Sequence, residues 1–155
     1  MAVELHHDDE TLRVLVRDHL CVARWLDTPT ARHFGVITAA MRAASVGGER
    51  AGLLNVIDAP GKMPRFTDEL RHAGAAMSRA IDPLTAATAH VVLLDGLVGT
   101  SVRMFLSTLA LLSRVPGVVS TCGQVDEGAR WLAAHPRVAR RWTATGILSA
   151  YQLVA

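Results

Sequence analysis

Two short apolar runs open the ordered part of the chain, and from residue 28 apolar stretches with helical spacing alternate with short unbroken ones to about residue 135. Leu12-Arg13-Val14-Leu15-Val16 alternates imperfectly between apolar and polar positions, which suits a strand. Asp18-His19 marks a turn, and Cys21-Val22-Ala23-Arg24-Trp25-Leu26 predicts a second strand. So short a connection leaves no room for a parallel crossover, so the pair is antiparallel. Asp27-Thr28-Pro29-Thr30 then starts a helix, with Thr28 as cap and Pro29 at the first helical position. Phe34, Ile37, Met41 and Ala44 give that helix one apolar stripe, and Gly47-Gly48 ends it.

Leu53-Leu54-Asn55-Val56-Ile57-Asp58 is short, mostly apolar and rich in branched side chains, as a strand covered on both faces is. Two prolines and a glycine make residues 59–64 a loop. Thr67 with Asp68 and Glu69 reads as a helix N-terminus, and Leu70, Ala73, Gly74 and Met77 form the inner face that follows. Thr88 to Asp95 predicts another buried strand. Gly96 and Gly99 break it, and a helix follows to about Arg114, stopped by Pro116-Gly117. Val118 to Cys122 is a last short strand, and Val125, Ala129 and Leu132 share one side of a short helix. The order implies an α/β domain: about five strands in a small, mainly parallel or mixed sheet, an antiparallel strand at the N-terminal edge, and helices packed on it. Residues 1–10, polar and acidic, read as a flexible tail; residues 11–135 form the domain; residues 136–155 are an extension that packs on the domain or on a partner.

Composition narrows the function without naming it. The chain has 155 residues, half of them hydrophobic and 19% charged, which makes one globular domain with a real core. Formal net charge is +2, and Lys62 is the single lysine among arginines. No basic stripe interleaved with aromatics is present, which argues against nucleic acid. Cys21 and Cys122 have no neighbouring Cys or His at metal-ligand spacing and read as reduced thiols. The chain opens without the pattern of a signal peptide, and its longest apolar stretch, Met104 to Leu112, is too short to span a bilayer. A cytoplasmic protein with no cofactor and no metal is expected.

The element order, Leu53 to Asp58 leading into a loop and helix, Trp25-Leu26-Asp27 with Pro29, and Asp126-Glu127-Gly128-Ala129-Arg130-Trp131-Leu132 together carry a resemblance. Over residues 11 to 135 the chain resembles the STAS domains of bacterial anti-sigma-factor antagonists (SpoIIAA-like), and more closely the divergent bacterial STAS/Sec14-like group. The resemblance implies a regulatory domain that acts through protein contacts. In antagonist STAS domains a strand ends in Asp and a phosphorylatable Ser opens the next helix. Asp58 matches the Asp. Ala59-Pro60-Gly61-Lys62 replaces the Ser-containing loop, and Thr67 is the nearest hydroxyl to the helix start. Asp58, Lys62 and Thr67 are therefore the candidates for a regulatory loop, with Thr67 read first as a neutral helix cap.

No residue is expected to be catalytic. Asp58 and Asp95 end strands, where open α/β sheets gather ligands, yet no third carboxylate or nucleophile–base pair accompanies them. Gly96-Leu97-Val98-Gly99-Thr100-Ser101 lacks the lysine and spacing of a phosphate loop. Ser101 and Ser120 lack a nucleophile elbow. His33, His72 and His90 are scattered, and His90 enters a buried strand as a core or boundary histidine.

The helix from Thr100 to Arg114 carries two apolar sides. Val102, Phe105, Leu109 and Leu112 suit the core. Met104, Leu111 and Val115, with Thr108 between, lie elsewhere, so that side is either covered by Trp142 to Ala155 or used for binding. The expectation is a non-enzymatic STAS-like interaction domain, a homodimer through Met104, Thr108, Leu111 and Val115, with a regulatory protein as a possible further partner. A small apolar-ligand or lipid carrier of Sec14-like kind is the alternative, and an enzyme using the strand-end carboxylates comes third.

Overall fold

Six strands lie side by side in the order in which the chain makes them. The computed structural model describes residues 4–59 and 65–155. Strands β1 (Glu4–Asp8), β2 (Leu12–Arg17) and β3 (Leu20–Trp25) form an antiparallel meander; β4 (Ala51–Ile57), β5 (Thr85–Val92) and β6 (Val119–Cys122) continue from β3 in parallel. This is the α/β class the apolar pattern predicts, with one strand more than expected. The extra strand is β1, which forms where the polar composition predicts a tail. Backbone pairing with β2 needs no apolar side chains. Asp9 closes the β1–β2 turn by accepting from the amides of Thr11 (2.7 Å) and Leu12 (2.8 Å). Asp18 and His19 both have positive φ, the backbone that a tight two-residue hairpin between β2 and β3 demands.

Helices α1 (Ala31–Ala44), α2 (Asp68–Ile81) and α3 (Gly96–Ser113) are the three parallel crossovers. Right-handed crossovers that step in one direction across a sheet must put their helices on one face. All three do so, and their stripes pack against Leu12, Val14, Cys21, Ala23, Leu53 and Ile57. Helix α1 begins two residues later than the sequence suggests. Thr30, not Thr28, is its cap, because the Thr30 amide donates to Nδ1 of the buried His33 (3.1 Å), while Asp27 takes the Thr28 amide (2.7 Å).

The opposite face then needs its own cover. Helices α4 (Val125–Ala134), α6 (Ala144–Gln152) and the single turn α5 (Pro136–Ala139) supply it, burying Leu132, Val138, Ile147 and Val154 against Leu15, Leu20, Val22 and Leu54. Gly128 lets α4 touch the sheet: a Cβ there would sit 2.7 Å from Val91. The C-terminal segment is pinned by Arg141, which reaches Asp18 (3.0 Å) and Glu49 (2.8 Å), and by the Trp142 indole on the Asp18 carbonyl (2.8 Å). Residues 142–155 therefore do not fold over α3. They lie on the other side of the sheet, the face that three same-sided crossovers leave bare.

Candidate functional site

Side-chain alternation turns Leu53, Asn55 and Ile57 of β4, Thr88 and His90 of β5, and Val119 and Thr121 of β6 toward the layer of α1–α3. Helix α3 does not lie down on them. It leans on α2 instead, where Leu109 fills the notch at Gly74; a Cβ on Gly74 would meet Leu109 Cδ2 at 2.7 Å. A cavity of about 340 Å³ remains between this helix pair and the sheet. Its upper wall is Met77, Ile81, Val102, Phe105, Leu106 and Leu109. Phe66 stacks on Phe105 with ring centroids 4.0 Å apart and planes 8° from parallel, which fixes one end of that wall. Val118, Val119 and Thr121 line the cavity and are exposed, so the open side runs along β6.

The floor is polar along one line. The Trp25 indole N–H donates to Asn55 Oδ1 (2.7 Å), and Asn55 Nδ2 lies 3.0 Å from His90 Nδ1. An indole can only donate, so Asn55 Oδ1 is the acceptor and Nδ2 the donor. His90 Nδ1 must then accept, and the proton of the neutral ring sits on Nε2. Burial holds the imidazole neutral, pushing its pKa from 6.5 down to about 4. His90 lines the cavity, and its Nε2 has no hydrogen-bond partner among the described residues. The hydroxyls of Ser78, Thr85 and Ser113, also in the lining, are spent on backbone carbonyls of their own segments. Asp27 and Asp82 are the charged residues of the described lining; no Lys or Arg is among it.

Of the site residues expected from sequence, those the structure describes lie elsewhere, apart from Val115. Asp58 is ion-paired to Arg24 (2.8 Å), whose other nitrogen donates to the Val154 carbonyl (3.1 Å), so the pair docks the C-terminus against the sheet. Thr67 caps α2 by accepting from the Leu70 amide (3.2 Å), and Lys62 lies outside the described residues. The two described members of the expected regulatory loop thus have separate structural partners. Asp95 precedes the first turn of α3, and neither it nor Asp58 lines the cavity. On α3, Met104 and Leu111 are 66% and 78% exposed, and Leu97, 76% exposed, extends their seven-residue spacing. Thr108 bonds back to the Met104 carbonyl (2.9 Å). Val115 departs from the expected outward surface and lines the cavity, because the helix ends at Ser113 and the chain turns in through Arg114, whose φ is positive. Leu112, assigned to the core by spacing, is 41% exposed.

A second cluster was hidden in the sequence. His7, Asp9 and His33 bring one donor atom each within 4.8 Å of one another. Asp9 Oδ2 accepts from His7 Nε2 (2.8 Å) and His33 Nε2 (3.1 Å). Burial opposes ionisation of Asp9, but the bonds from His7, the Leu12 and Thr11 amides and His33 outweigh it and hold its carboxyl well below the usual carboxylate range. The Thr30 amide donates to His33 Nδ1, which places the neutral ring's proton on Nε2. A metal there would need the Nε2 lone pair and would leave a protonated Nδ1 facing that amide. The cluster is a hydrogen-bonded clasp between the β1–β2 turn and α1.

The two cysteines, on β3 and β6 with two strands between them, are free thiols, and burial pushes Cys21 up to about 12. Helix α3, at 18 residues and mean hydropathy 1.4, is long and apolar enough to cross a membrane by length and composition, more so than the stretch from Met104 to Leu112 suggests. Its Val102, Phe105 and Leu109 belong to the core of the α/β fold. A scan against protein-family models and searches of curated proteins and of solved structures return no match.

Proposed function

We propose that this protein binds a small, mostly apolar molecule in the cavity between β4–β6 and the α2–α3 pair. The observation that carries the reading is the cavity itself: about 340 Å³, walled by Met, Ile, Val, Leu and Phe, with the hydrogen-bonded row of Trp25, Asn55 and His90 on its floor. Ligand sites of small molecules occupy roughly 300–1,000 Å³ and combine apolar walls with a few placed polar groups. The mechanism is burial and release, with no bond made or broken. The Sec14-like side of the sequence resemblance points the same way, and a cytoplasmic setting agrees with the free thiols.

The test uses N-phenyl-1-naphthylamine, a neutral probe whose fluorescence rises in apolar surroundings. Saturable one-site binding is expected. Thr88→Phe fills the floor beside His90, so it should weaken the probe at least about tenfold and raise stability by about 1 kcal/mol as a filled void does. Absence of saturable binding, or equal binding by the Thr88→Phe variant, contradicts the reading.

A second reading rests on a different observation. Leu97, Met104 and Leu111 form an exposed apolar row along α3, on the face turned away from its buried stripe. Such a row fits a homodimer or docking of a regulatory protein, the role the STAS resemblance implies. If copies associate through it, Met104→Glu with Leu111→Glu converts a dimer to a soluble monomer in light scattering, with the fold intact by circular dichroism. A wild-type monomer at high micromolar concentration removes the homodimer.

A further inference from the structure

The ligand's polar end can be assigned from the hydrogen-bond direction along the floor, given the cavity reading above. We infer that His90 Nε2–H is the anchor of the site and that it selects a ligand bearing an uncharged hydrogen-bond acceptor, a ketone, ester or amide carbonyl, at the end that reaches β5.

The direction is set at Trp25 and cannot reverse. Trp25 donates to Asn55 at 2.7 Å, Asn55 donates to His90 at 3.0 Å, and His90, which lines the cavity, is left with one N–H to give. The three residues stand on adjacent parallel strands, and Asn55 is directly opposite His90 in the β4–β5 register, so the sheet itself holds the row. A neutral imidazole in that tautomer offers no lone pair to the cavity. A ligand donor, hydroxyl hydrogen or ammonium would meet a second donor there. An acceptor would satisfy the N–H, and an apolar end would leave it unpaired, at a cost typical of a buried unmade bond.

Charge narrows the acceptor further. A carboxylate or phosphate needs a cation, and the described lining contains Asp27 and Asp82 but no Lys or Arg. An anionic head would be desolvated beside a neutral ring in a site whose charges, among the described residues, are of its own sign. An uncharged carbonyl asks for one hydrogen bond and nothing more.

Two measurements test this on the full chain. Long-range 1H–15N spectra of the ligand-free protein at pH 7 should show His90 as the Nε2–H tautomer. A His90 signal with the proton on Nδ1 overturns the inference and leaves the cavity reading standing. Then octane, 2-octanone and octylamine compete against N-phenyl-1-naphthylamine. Going from wild type to His90→Phe, the affinity for 2-octanone should fall about tenfold relative to octane, and in the wild type the His90 Nε2 resonance should move with 2-octanone and not with octane. Equal change for octane and 2-octanone overturns the inference. Tightest binding by octylamine also overturns it and moves the anchor to Asp27 or Asp82. Displacement by none of the three removes the cavity reading, and the inference falls with it.

Discussion

Gly99→Ala is expected to cost about 2–4 kcal/mol of folding stability, among the largest effects of any single-methyl addition in this chain. The chain leaves β5 through Leu94, turns at Gly96 with φ of +62°, and enters α3 so tightly that the first helical turn rests on the Leu94 carbonyl. A Cβ at position 99 would overlap that carbonyl oxygen. Backbone, unlike a flexible side chain, cannot yield locally, so the whole first turn of α3 must lift. Leu94 and Val98 line the cavity, so lifting that turn opens one end of it, and probe affinity should fall together with stability. Urea unfolding measures the first and the naphthylamine titration the second. Gly96→Ala, which meets nothing within 4 Å but forces a left-handed φ on alanine, should cost about 1 kcal/mol. A Gly99→Ala protein within 0.5 kcal/mol of wild type, a margin typical of a neutral surface change, contradicts this account of the turn.

The second large effect is on acid stability. His90 is held neutral by burial down to about pH 4, while in the unfolded chain it takes up a proton near 6.5. Between those values the unfolded state binds more protons than the folded state, so stability rises with pH. Read downward, the contribution is whole above about pH 7 and is lost as pH falls toward 4. A difference of that size corresponds to about 3 kcal/mol. His90→Phe should therefore flatten the decline of urea stability between pH 7 and pH 4 by that amount relative to wild type. Asp9 does not confuse the window. Its folded carboxyl is depressed, so its contribution is present above the unfolded carboxylate value near 3.8 and fades only below it. Equal slopes for wild type and His90→Phe over pH 4–7 would show that His90 takes up its proton as readily in the folded chain as in the unfolded one, which contradicts a buried imidazole held neutral across that range.

The fold was legible where local pattern and global packing agree. The short, mostly apolar runs at Leu53–Ile57 and Thr88–Val92 suit strands covered twice, and the alternation and short turn before Leu26 suit a hairpin. Strand β1 was not legible because its stability is backbone pairing plus the Asp9 clasp, and His33, which completes that clasp, is 24 residues away from Asp9. The place of the C-terminal helices follows from crossover handedness rather than from their own sequence, which is apolar enough to suit either face. Helix α3 was half legible. Spacing separated Met104 and Leu111 from Val102, Phe105 and Leu109, but it could not show Val115 turning inward after the helix ends.

The site was the least legible part, for a physical reason. A void is a distance between layers, and here it depends on Leu109 meeting Gly74, a contact no periodicity contains. One signal was available. Asn55 and His90 are polar residues in the middle of runs that otherwise read as fully buried, and a buried polar side chain must find a partner. Each partly satisfies the other, and His90 leaves one donor over. The strand-end carboxylates were the more conspicuous pattern, but Asp58 serves the C-terminal dock through Arg24.

The most direct test follows amide shifts in 15N-labelled protein as N-phenyl-1-naphthylamine is added. Perturbations centred on Asn55, Thr88, His90, Phe105 and Leu109, with Leu97, Met104 and Leu111 little changed, are the expected result. Shifts confined to the exposed row on α3, with the sheet floor silent, would contradict an internal ligand site.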